Sequence, residues 1–174
     1  GVERMAMLTI GTGVGGGFVR NGRLETDGYG SMAYVFGHCV IAHDGKLCNC
    51  GQRGCIETYA SATAIARRGE QVFEGQKSVR QIFELARAGD AVAQGVLREF
   101  LEVLTVGVVN VANILRPQVI VLGGGVSASG DLIVSAVNQG LEKYVYGYEY
   151  APVRAVCAQL ENRAGIVGAA NLTE

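Results

Sequence analysis

Three cysteines within one short loop constrain this chain more than any other feature of its sequence. Cys48, Cys50 and Cys55 form a Cys-x-Cys-x4-Cys pattern, and His38 stands ten residues before the first thiol. Three thiolates and one imidazole complete a tetrahedral zinc site, which leaves no coordination position open for water. The alternative is that the thiols are ordinary core residues, since free cysteine is often buried. Two glycines in the loop allow it to fold back around an ion, so the pattern predicts a structural zinc centre.

The size and charge of the chain limit the class of protein. With 174 residues, 49% of them apolar, the chain can bury one core and is expected to form one domain. Its net charge of −1 and its lack of a basic cluster argue against direct contact with nucleic acid. Charged residues interrupt the longest apolar segment, so we expect no membrane span.

The remaining cysteines and the first residues of the chain indicate its cellular compartment and whether it is a fragment. Cys39 and Cys157 lie in apolar stretches and are expected in the core. Such cysteine use is typical of a reducing compartment, and no segment has the pattern of a signal peptide. We therefore expect a cytoplasmic protein. Because Gly1 is not an obvious protein start, we also expect the chain to be a fragment of a longer one.

The first half of the chain predicts strands and then helices. Asn21 and Gly22 separate two short runs in the manner of a β-hairpin turn. We expect antiparallel strands over the first forty residues, with Val40–Ala42 as a third strand. Helices are predicted over Glu57–Arg68 and Ser78–Ala88, the second with Ser78 as its N-cap.

The second half alternates helix and strand. Asp90 is expected to cap a long helix over 91–115, which Pro117 cannot continue. Further elements are predicted as a strand over 118–122, a helix over 131–143, a strand over 152–157 and a helix over 164–172. This alternation predicts an α/β fold, in which helices pack on a mixed sheet with parallel members.

Two glycine clusters each follow an apolar strand. Gly11-Thr12-Gly13 follows the first strand, and Gly123-Gly124-Gly125 follows a later one. Glycines at such turns expose backbone amides, which often bind phosphate, and Thr12 adds a hydroxyl donor. The alternative is ordinary hairpin or elbow geometry. A Walker loop is excluded because no Gly-Lys-Ser or Gly-Lys-Thr follows either cluster.

These motifs, in this order, resemble the ROK family of bacterial sugar kinases and sugar-responsive repressors. The resemblance rests on segments 8–17, 37–38, 48–61, 120–127 and 164–170, and it covers nearly the whole chain. It implies that residues 1–174 form the larger, C-terminal lobe of a ribonuclease-H-like, or actin-like, ATPase fold. Residues 37–57 would be an insertion that carries the zinc site and the sugar loop. The N-terminal lobe would precede Gly1.

The resemblance also implies binding roles for individual residues. Gly11, Thr12 and Gly13 would meet the ATP phosphates, and Gly124 and Gly125 would line the nucleotide pocket beside the adenosine. His38 would complete the zinc site with the three cysteines and hold the sugar-binding loop. Glu57 would accept hydrogen bonds from sugar hydroxyls, which suits a carboxylate held next to a metal ligand. By spacing alone, Glu57 is better explained as an acidic residue in the first turn of a helix, and the family resemblance reverses this preference.

The sequence departs from the family pattern at the sugar loop. Family members usually carry Gly-Glu-x-Gly-His, whereas this chain has Tyr34-Val35-Phe36-Gly37-His38. Val35 cannot accept a hydrogen bond from a hydroxyl, a loss worth about 1.5 to 3 kcal/mol of sugar binding. Tyr34 fills space where glycine is usual. Near the end of the chain, Arg163 replaces the commoner aspartate of Asn-Asp-Ala-Gly.

No catalytic residue is expected in this chain. None of its four aspartates lies in the Asn-Asp-x-Asn setting of the family's base, and no Asp-x-Gly-Gly-Thr phosphate loop is present. Both would belong to the N-terminal lobe. His43 precedes Asp44-Gly45 in an expected exposed turn and is a poor substitute base. We therefore expect the segment alone to be inactive.

Three functional hypotheses follow. The first is the C-terminal lobe of an ATP-dependent sugar kinase, glucokinase-like, which acts with Mg²⁺ on a hexose or amino sugar. The second is the effector-sensing lobe of a ROK sugar-responsive repressor, which Tyr34 and Val35 slightly favour. The third is a zinc-stabilised dimerisation module without a ligand. A homodimer is expected from the resemblance alone.

Overall fold

The computed structural model describes residues 1–29, 33–125, 130–160 and 164–170 as an α/β fold. Its strands are β1 (Arg4–Ile10), β2 (Val14–Arg20), β3 (Arg23–Leu24), β4 (Val119–Gly123) and β5 (Arg154–Cys157). Its helices are α1 (Glu57–Ala60), α2 (Ala62–Val72), α3 (Val79–Arg87), α4 (Ala91–Leu115), α5 (Gly130–Tyr144) and α6 (Ala164–Ala170), with a 3₁₀ turn at Phe36–His38. The strands form one mixed sheet in the order β3-β2-β1-β4-β5.

The sheet has an antiparallel half and a parallel half. β1, β2 and β3 pair antiparallel, while β4 and β5 run parallel to β1. The β2–β3 hairpin turns at Asn21 and Gly22, both with positive φ, of 52° and 77°, as the Asn-Gly signal predicts. Because β1 and β4 are parallel neighbours, the turns that follow them lie at the same edge of the sheet. Both glycine clusters are in those turns.

The prediction of a third strand at Val40–Ala42 is wrong. The third strand is Arg23–Leu24, and Val40 forms only an isolated bridge with Cys55. The amides of Ile41 and Ala42 both donate to the carbonyl of Gly54, at 2.9 and 3.3 Å. This segment therefore pairs with the cysteine loop, whose backbone accepts its hydrogen bonds, and it does not join the sheet.

The predicted helix over Glu57–Arg68 is two helices. Ser61 separates α1 from α2 with an extended backbone, and its side chain accepts a hydrogen bond from the Ala64 amide at 3.1 Å. The amide of Ala62 donates to the Gly11 carbonyl at 2.8 Å. The break thus lets the start of α2 contact the turn after β1, a long-range interaction that overrides local helix propensity.

The other helices follow their predicted limits closely. Ser78 forms a capping box at the start of α3, and Asp90 caps α4 by accepting from the Ala93 amide at 2.8 Å. α4 ends at Leu115, and its C-cap Arg116, whose φ is 49°, immediately precedes Pro117. α5 and β5 match their predictions to within a few residues. α6 begins at Ala164 as predicted, and residues 171–172 of the predicted helix, like residues 126–127 and 162–163, lie outside the described residues.

One core of buried residues joins helices α1 to α5 to the sheet. It includes the buried side of α4 together with five strand residues, Ala6, Leu8, Ile10, Ile120 and Leu122. The α4 positions that periodicity assigns to the core are buried at Val96, Phe100, Leu104, Val108 and Val111, and Leu115 packs at the edge. Among the described helices, none has the length and apolarity that crossing a bilayer requires.

The two cysteines outside the predicted metal site differ in burial. Cys157, at the end of β5, is half-buried, whereas Cys39 is exposed. The prediction of a core position is therefore wrong for Cys39. The apolar residues that flank Cys39 in sequence belong to a surface loop, and Val40 is itself 49% exposed.

Candidate functional site

The structure brings His38, Cys48, Cys50 and Cys55 together as one cluster. Their ligand atoms all lie within 4.8 Å of one another. His38 Nδ1 is 3.7 Å from Cys48 Sγ, and Cys50 Sγ is 3.7 Å from Cys55 Sγ. In a tetrahedral site with Zn–S bonds of about 2.3 Å, the sulfurs are about 3.8 Å apart. The donor set and its spacing therefore fit a zinc ion.

Local backbone geometry explains how so short a loop forms the cluster. Gly51 and Gly54 have φ of 90° and 81°, in the left-handed region that favours glycine. The Gly51 amide donates to the Cys48 carbonyl at 2.9 Å, and the Cys48 amide donates to the Gln52 carbonyl at 2.8 Å. A Cβ at Gly54 would lie 2.7 Å from the carbonyl carbon of Ala42. The two glycines therefore permit both the tight turn and its close packing.

The electrostatics of the thiols also suit a bound cation. Burial, followed by hydrogen bonding with Cys50 and Cys48, raises the pKa of Cys55 to about 12. The backbone amide of Gln52 lowers the pKa of the more exposed Cys50. A thiol with so high a pKa stays protonated at neutral pH unless a nearby cation stabilises its thiolate, which a bound metal does.

Glu57 lies against the first glycine turn. It is the first residue of α1, and its Oε2 accepts a hydrogen bond from the Val14 amide at 2.9 Å. A Cβ at Gly13 would be 2.9 Å from the carboxyl carbon of Glu57, so only glycine leaves room for this carboxylate. The structure therefore brings the candidate sugar ligand to the candidate phosphate turn.

Val14 also contacts the loop that carries His38. A Cβ at Gly37 would lie 3.0 Å from the carbonyl carbon of Val14, so this loop packs closely on the start of β2. The amide of Ile56, one residue before Glu57, donates to the Cys39 carbonyl at 3.0 Å. His38 and Glu57 are thus held next to the same strand end by backbone contacts. Sequence patterns gave no signal for this role of Val14.

The two glycine clusters are adjacent at the edge of the sheet. Gly124 has a φ of 92°, and a Cβ there would lie 2.7 Å from the Ile10 amide nitrogen. In the first cluster, the Gly11 amide donates to the Gly13 carbonyl at 2.9 Å, and the Thr12 carbonyl accepts from the Thr63 hydroxyl at 2.7 Å. Gly125 is exposed. The binding roles of these residues remain predictions.

Each of the four aspartates has an interaction with a neighbouring group of the chain. Asp27 accepts from the Tyr29 amide, Asp44 pairs with His43, Asp90 caps α4, and Asp131 pairs with Arg87. The side chain of His43 is 96% exposed, in agreement with its predicted surface turn. The absence of a catalytic base from this chain stays a prediction.

The comparisons with known proteins identify the family. The sequence profile of the ROK family matches residues 1–174. The chain belongs to the ROK family. It is 39% identical over 183 residues to a glucokinase of Halalkalibacterium halodurans. The aligned region covers 97% of the chain and 55% of that enzyme.

Solved structures of ROK proteins share this fold. A ROK family glucokinase from Streptomyces griseus, in complex with glucose and AMPPNP, matches with a TM-score of 0.89 and 33% identity over 99% of the chain and 61% of that structure. A ROK family transcriptional regulator, a homologue of the E. coli MLC protein, matches with a TM-score of 0.76 and 25% identity, over 90% of the chain and 42% of the regulator. The mixed sheet flanked by helices is that of ROK sugar kinases. The chain spans little more than half the length of the glucokinases that it matches.

Proposed function

We propose that residues 1–174 are the C-terminal lobe of an ATP-dependent, glucokinase-like sugar kinase. The observation that carries this proposal is the hydrogen bond of Glu57 with the Val14 amide at 2.9 Å, which holds a carboxylate against the Gly11–Gly13 turn. Phosphoryl transfer to a sugar needs a hydroxyl-binding group and a phosphate-binding turn at adjacent positions. The similarity to glucokinases favours a hexose as the substrate.

In this proposal His38 serves both the metal and the sugar. Nδ1 is the ring nitrogen beside Cys48 Sγ, so with zinc bound at Nδ1 the opposite nitrogen, Nε2, would carry the proton and would donate to a sugar hydroxyl. The zinc ion would be structural and would supply the rigidity that orients the imidazole. Glu57 would accept from a neighbouring hydroxyl, and the two side chains would fix the sugar relative to the phosphate turn.

The nucleotide would occupy the sheet edge where the two glycine turns meet. Gly11, Thr12 and Gly13 would approach the phosphates, and Gly124 and Gly125 would leave room for the nucleoside. The catalytic base and the remaining ligands of a Mg²⁺–ATP complex would come from the N-terminal lobe. Residues 1–174 alone are therefore proposed to be inactive, and the whole protein is proposed to act as a homodimer.

The second candidate is the effector-sensing lobe of a sugar-responsive regulator. Two observations favour it, the structural match to a ROK transcriptional regulator and the presence of Val35 at a position where the family usually has a glutamate. Val35 is 46% exposed and has no acceptor for a hydroxyl. In a regulator, sugar binding would suffice and phosphoryl transfer would be absent.

The two candidates are distinguished by an assay on the full-length protein. Purified protein is incubated with ATP, Mg²⁺ and a panel of hexoses and amino sugars, and ADP formation is measured. We expect phosphorylation, with kcat/KM for the sugar lowered at least tenfold in Glu57→Gln and unchanged in Glu99→Gln, a surface control whose carboxylate pairs with Arg68. Sugar binding in calorimetry without any turnover would favour the regulator and overturn the kinase proposal.

A further inference from the structure

An aromatic and ionic cluster outside the metal site holds the loop that carries His38. Tyr34 has a φ of 62°, in the left-handed region that side chains rarely adopt. Its ring packs between Phe18 and Phe36, with centroid distances of 5.4 and 6.0 Å. Its hydroxyl donates to Glu25, which also pairs with Arg20 at 2.6 Å. A non-glycine residue in this conformation persists only where its surroundings hold it.

The cluster is anchored to the sheet. Phe18 is fully buried in β2, and the guanidinium groups of Arg4 and Arg20 lie 5.3 and 5.8 Å from its ring centroid. Glu25 follows the β2–β3 hairpin, and its amide donates to the Phe18 carbonyl at 2.9 Å. The carboxylate of Glu25 raises the pKa of Tyr34, which keeps the hydroxyl a donor at neutral pH. The contacts of Tyr34 with Phe18 and Glu25 therefore connect it to the sheet.

Backbone hydrogen bonds connect Tyr34 to His38 without a break. The Phe36 amide donates to the Tyr34 carbonyl at 2.8 Å, and the His38 amide donates to the Val35 carbonyl at 3.0 Å. A Cβ at Gly16 would lie 2.6 Å from the Tyr34 carbonyl oxygen. The segment from Tyr34 to His38 is one tight turn, so a change of backbone conformation at Tyr34 would alter the position of the imidazole.

We propose that Tyr34 is a positioning residue, which acts through its contacts with Glu25, Phe18 and Phe36 to hold His38 in place for the metal and for the substrate. The part that concerns the substrate rests on the proposed function, whereas the part that concerns the metal does not. A tethered imidazole dissociates from the ion less readily than one on a free loop.

The test uses full-length protein loaded with zinc and measures zinc transfer to a chromogenic chelator, sugar KM, kcat and melting temperature. Tyr34→Gly keeps a backbone that tolerates positive φ but removes the ring and the hydroxyl. Tyr34→Phe and Glu25→Gln each weaken only the hydroxyl contact. Tyr29→Phe, at a 95% exposed tyrosine, is the matched control.

We expect zinc transfer and sugar KM to rise about tenfold in Tyr34→Gly and about threefold to fivefold in Tyr34→Phe and Glu25→Gln, with kcat changed less than KM. The control should match the wild type. A lowered melting temperature with wild-type zinc transfer and KM in the hydroxyl variants would overturn the inference, even if Tyr34→Gly fails to fold. A wild type that holds zinc but phosphorylates no sugar would overturn only the kinase proposal, and zinc transfer would still decide this one. A wild type without zinc would overturn both the metal centre and this inference.

Discussion

Gly13→Ala is the substitution that most directly tests the contact between Glu57 and the glycine turn. The added Cβ would lie 2.9 Å from the carboxyl carbon of Glu57 and closer still to Oε2, where ordinary van der Waals contact begins at 3.4 Å. The carboxyl group must therefore move by at least about half an ångström. Such a shift breaks or lengthens its 2.9 Å hydrogen bond with the Val14 amide.

The expected change in sugar KM follows from the hydrogen bonds that depend on the position of the Glu57 carboxylate. A hydrogen bond to a charged acceptor contributes about 1.5 to 3 kcal/mol. Displacement of Glu57 would therefore raise the sugar KM by about ten- to a hundredfold. Since Gly13 does not have a positive φ, the alanine backbone itself adds no strain of that kind. Loss of the hydrogen bond with the Val14 amide should also lower the stability of the fold, so the melting temperature is measured beside the kinetics.

The assay is steady-state phosphorylation of the preferred sugar by the full-length protein, with melting temperature in parallel. Gly95→Ala is the matched control, because a Cβ at this position in α4 would meet nothing within 4 Å. The control should keep wild-type kinetics and gain up to about 1 kcal/mol of stability from helix propensity. A wild-type sugar KM in Gly13→Ala would refute the assignment of Glu57 to the sugar site.

Three further predictions concern the metal loop and the helix break. Cys50→Ser should release zinc and lower the melting temperature by more than 10 °C, because structural zinc contributes on the order of 10 kcal/mol to folding. Cys39→Ser is the control, since Cys39 is exposed and lies outside the cluster, and it should change neither the zinc content measured by atomic absorption nor the melting temperature. Zinc binding to the apoprotein at pH 7 should release at least one proton, because burial raises the pKa of Cys55 to about 12, and the affinity for zinc should fall as the pH falls. An indicator dye in weak buffer measures the proton release, and zinc binding without proton release would contradict the assignment of Cys55 as a ligand. Ser61→Ala removes the cap of α2 and should lower the free energy of unfolding, measured by urea denaturation, by about 1 kcal/mol. A loss of kinase activity in protein that remains folded would indicate that the break between α1 and α2 positions the glycine turn.

Features encoded locally could be predicted from the sequence. The Asn21-Gly22 hairpin, the Ser78 capping box and the Asp90 cap each depend on residues a few positions apart. The Cys-x-Cys-x4-Cys pattern belongs to the same class, since its own glycines determine how the loop turns. Only His38 joins the cluster from outside the loop, and its position ten residues before Cys48 was the signal.

Features that depend on backbone contacts between distant residues could not be predicted from the sequence. Val40–Ala42 has the apolar, β-branched composition of a strand but pairs with Gly54 in the metal loop. The helix after Glu57 breaks because the Ala62 amide donates to the Gly11 carbonyl, which lies 51 residues earlier in the chain. A Ser before a run of small residues is a capping signal, so the break at Ser61 was the part that the sequence could have revealed.

The start of β2 links the metal loop to the glycine turns. Cys55 is a candidate ligand, and Glu57 stands two residues later at the start of α1, so an ion that fixes the first restricts the second. Glu57 then bonds the Val14 amide, while Gly37, beside His38, packs on the Val14 carbonyl. Loss of the ion would remove one restraint from both segments at once, and both contact the start of β2. Zinc removal should therefore weaken sugar binding through Glu57 as well as through His38, even though neither glycine turn supplies a candidate metal ligand.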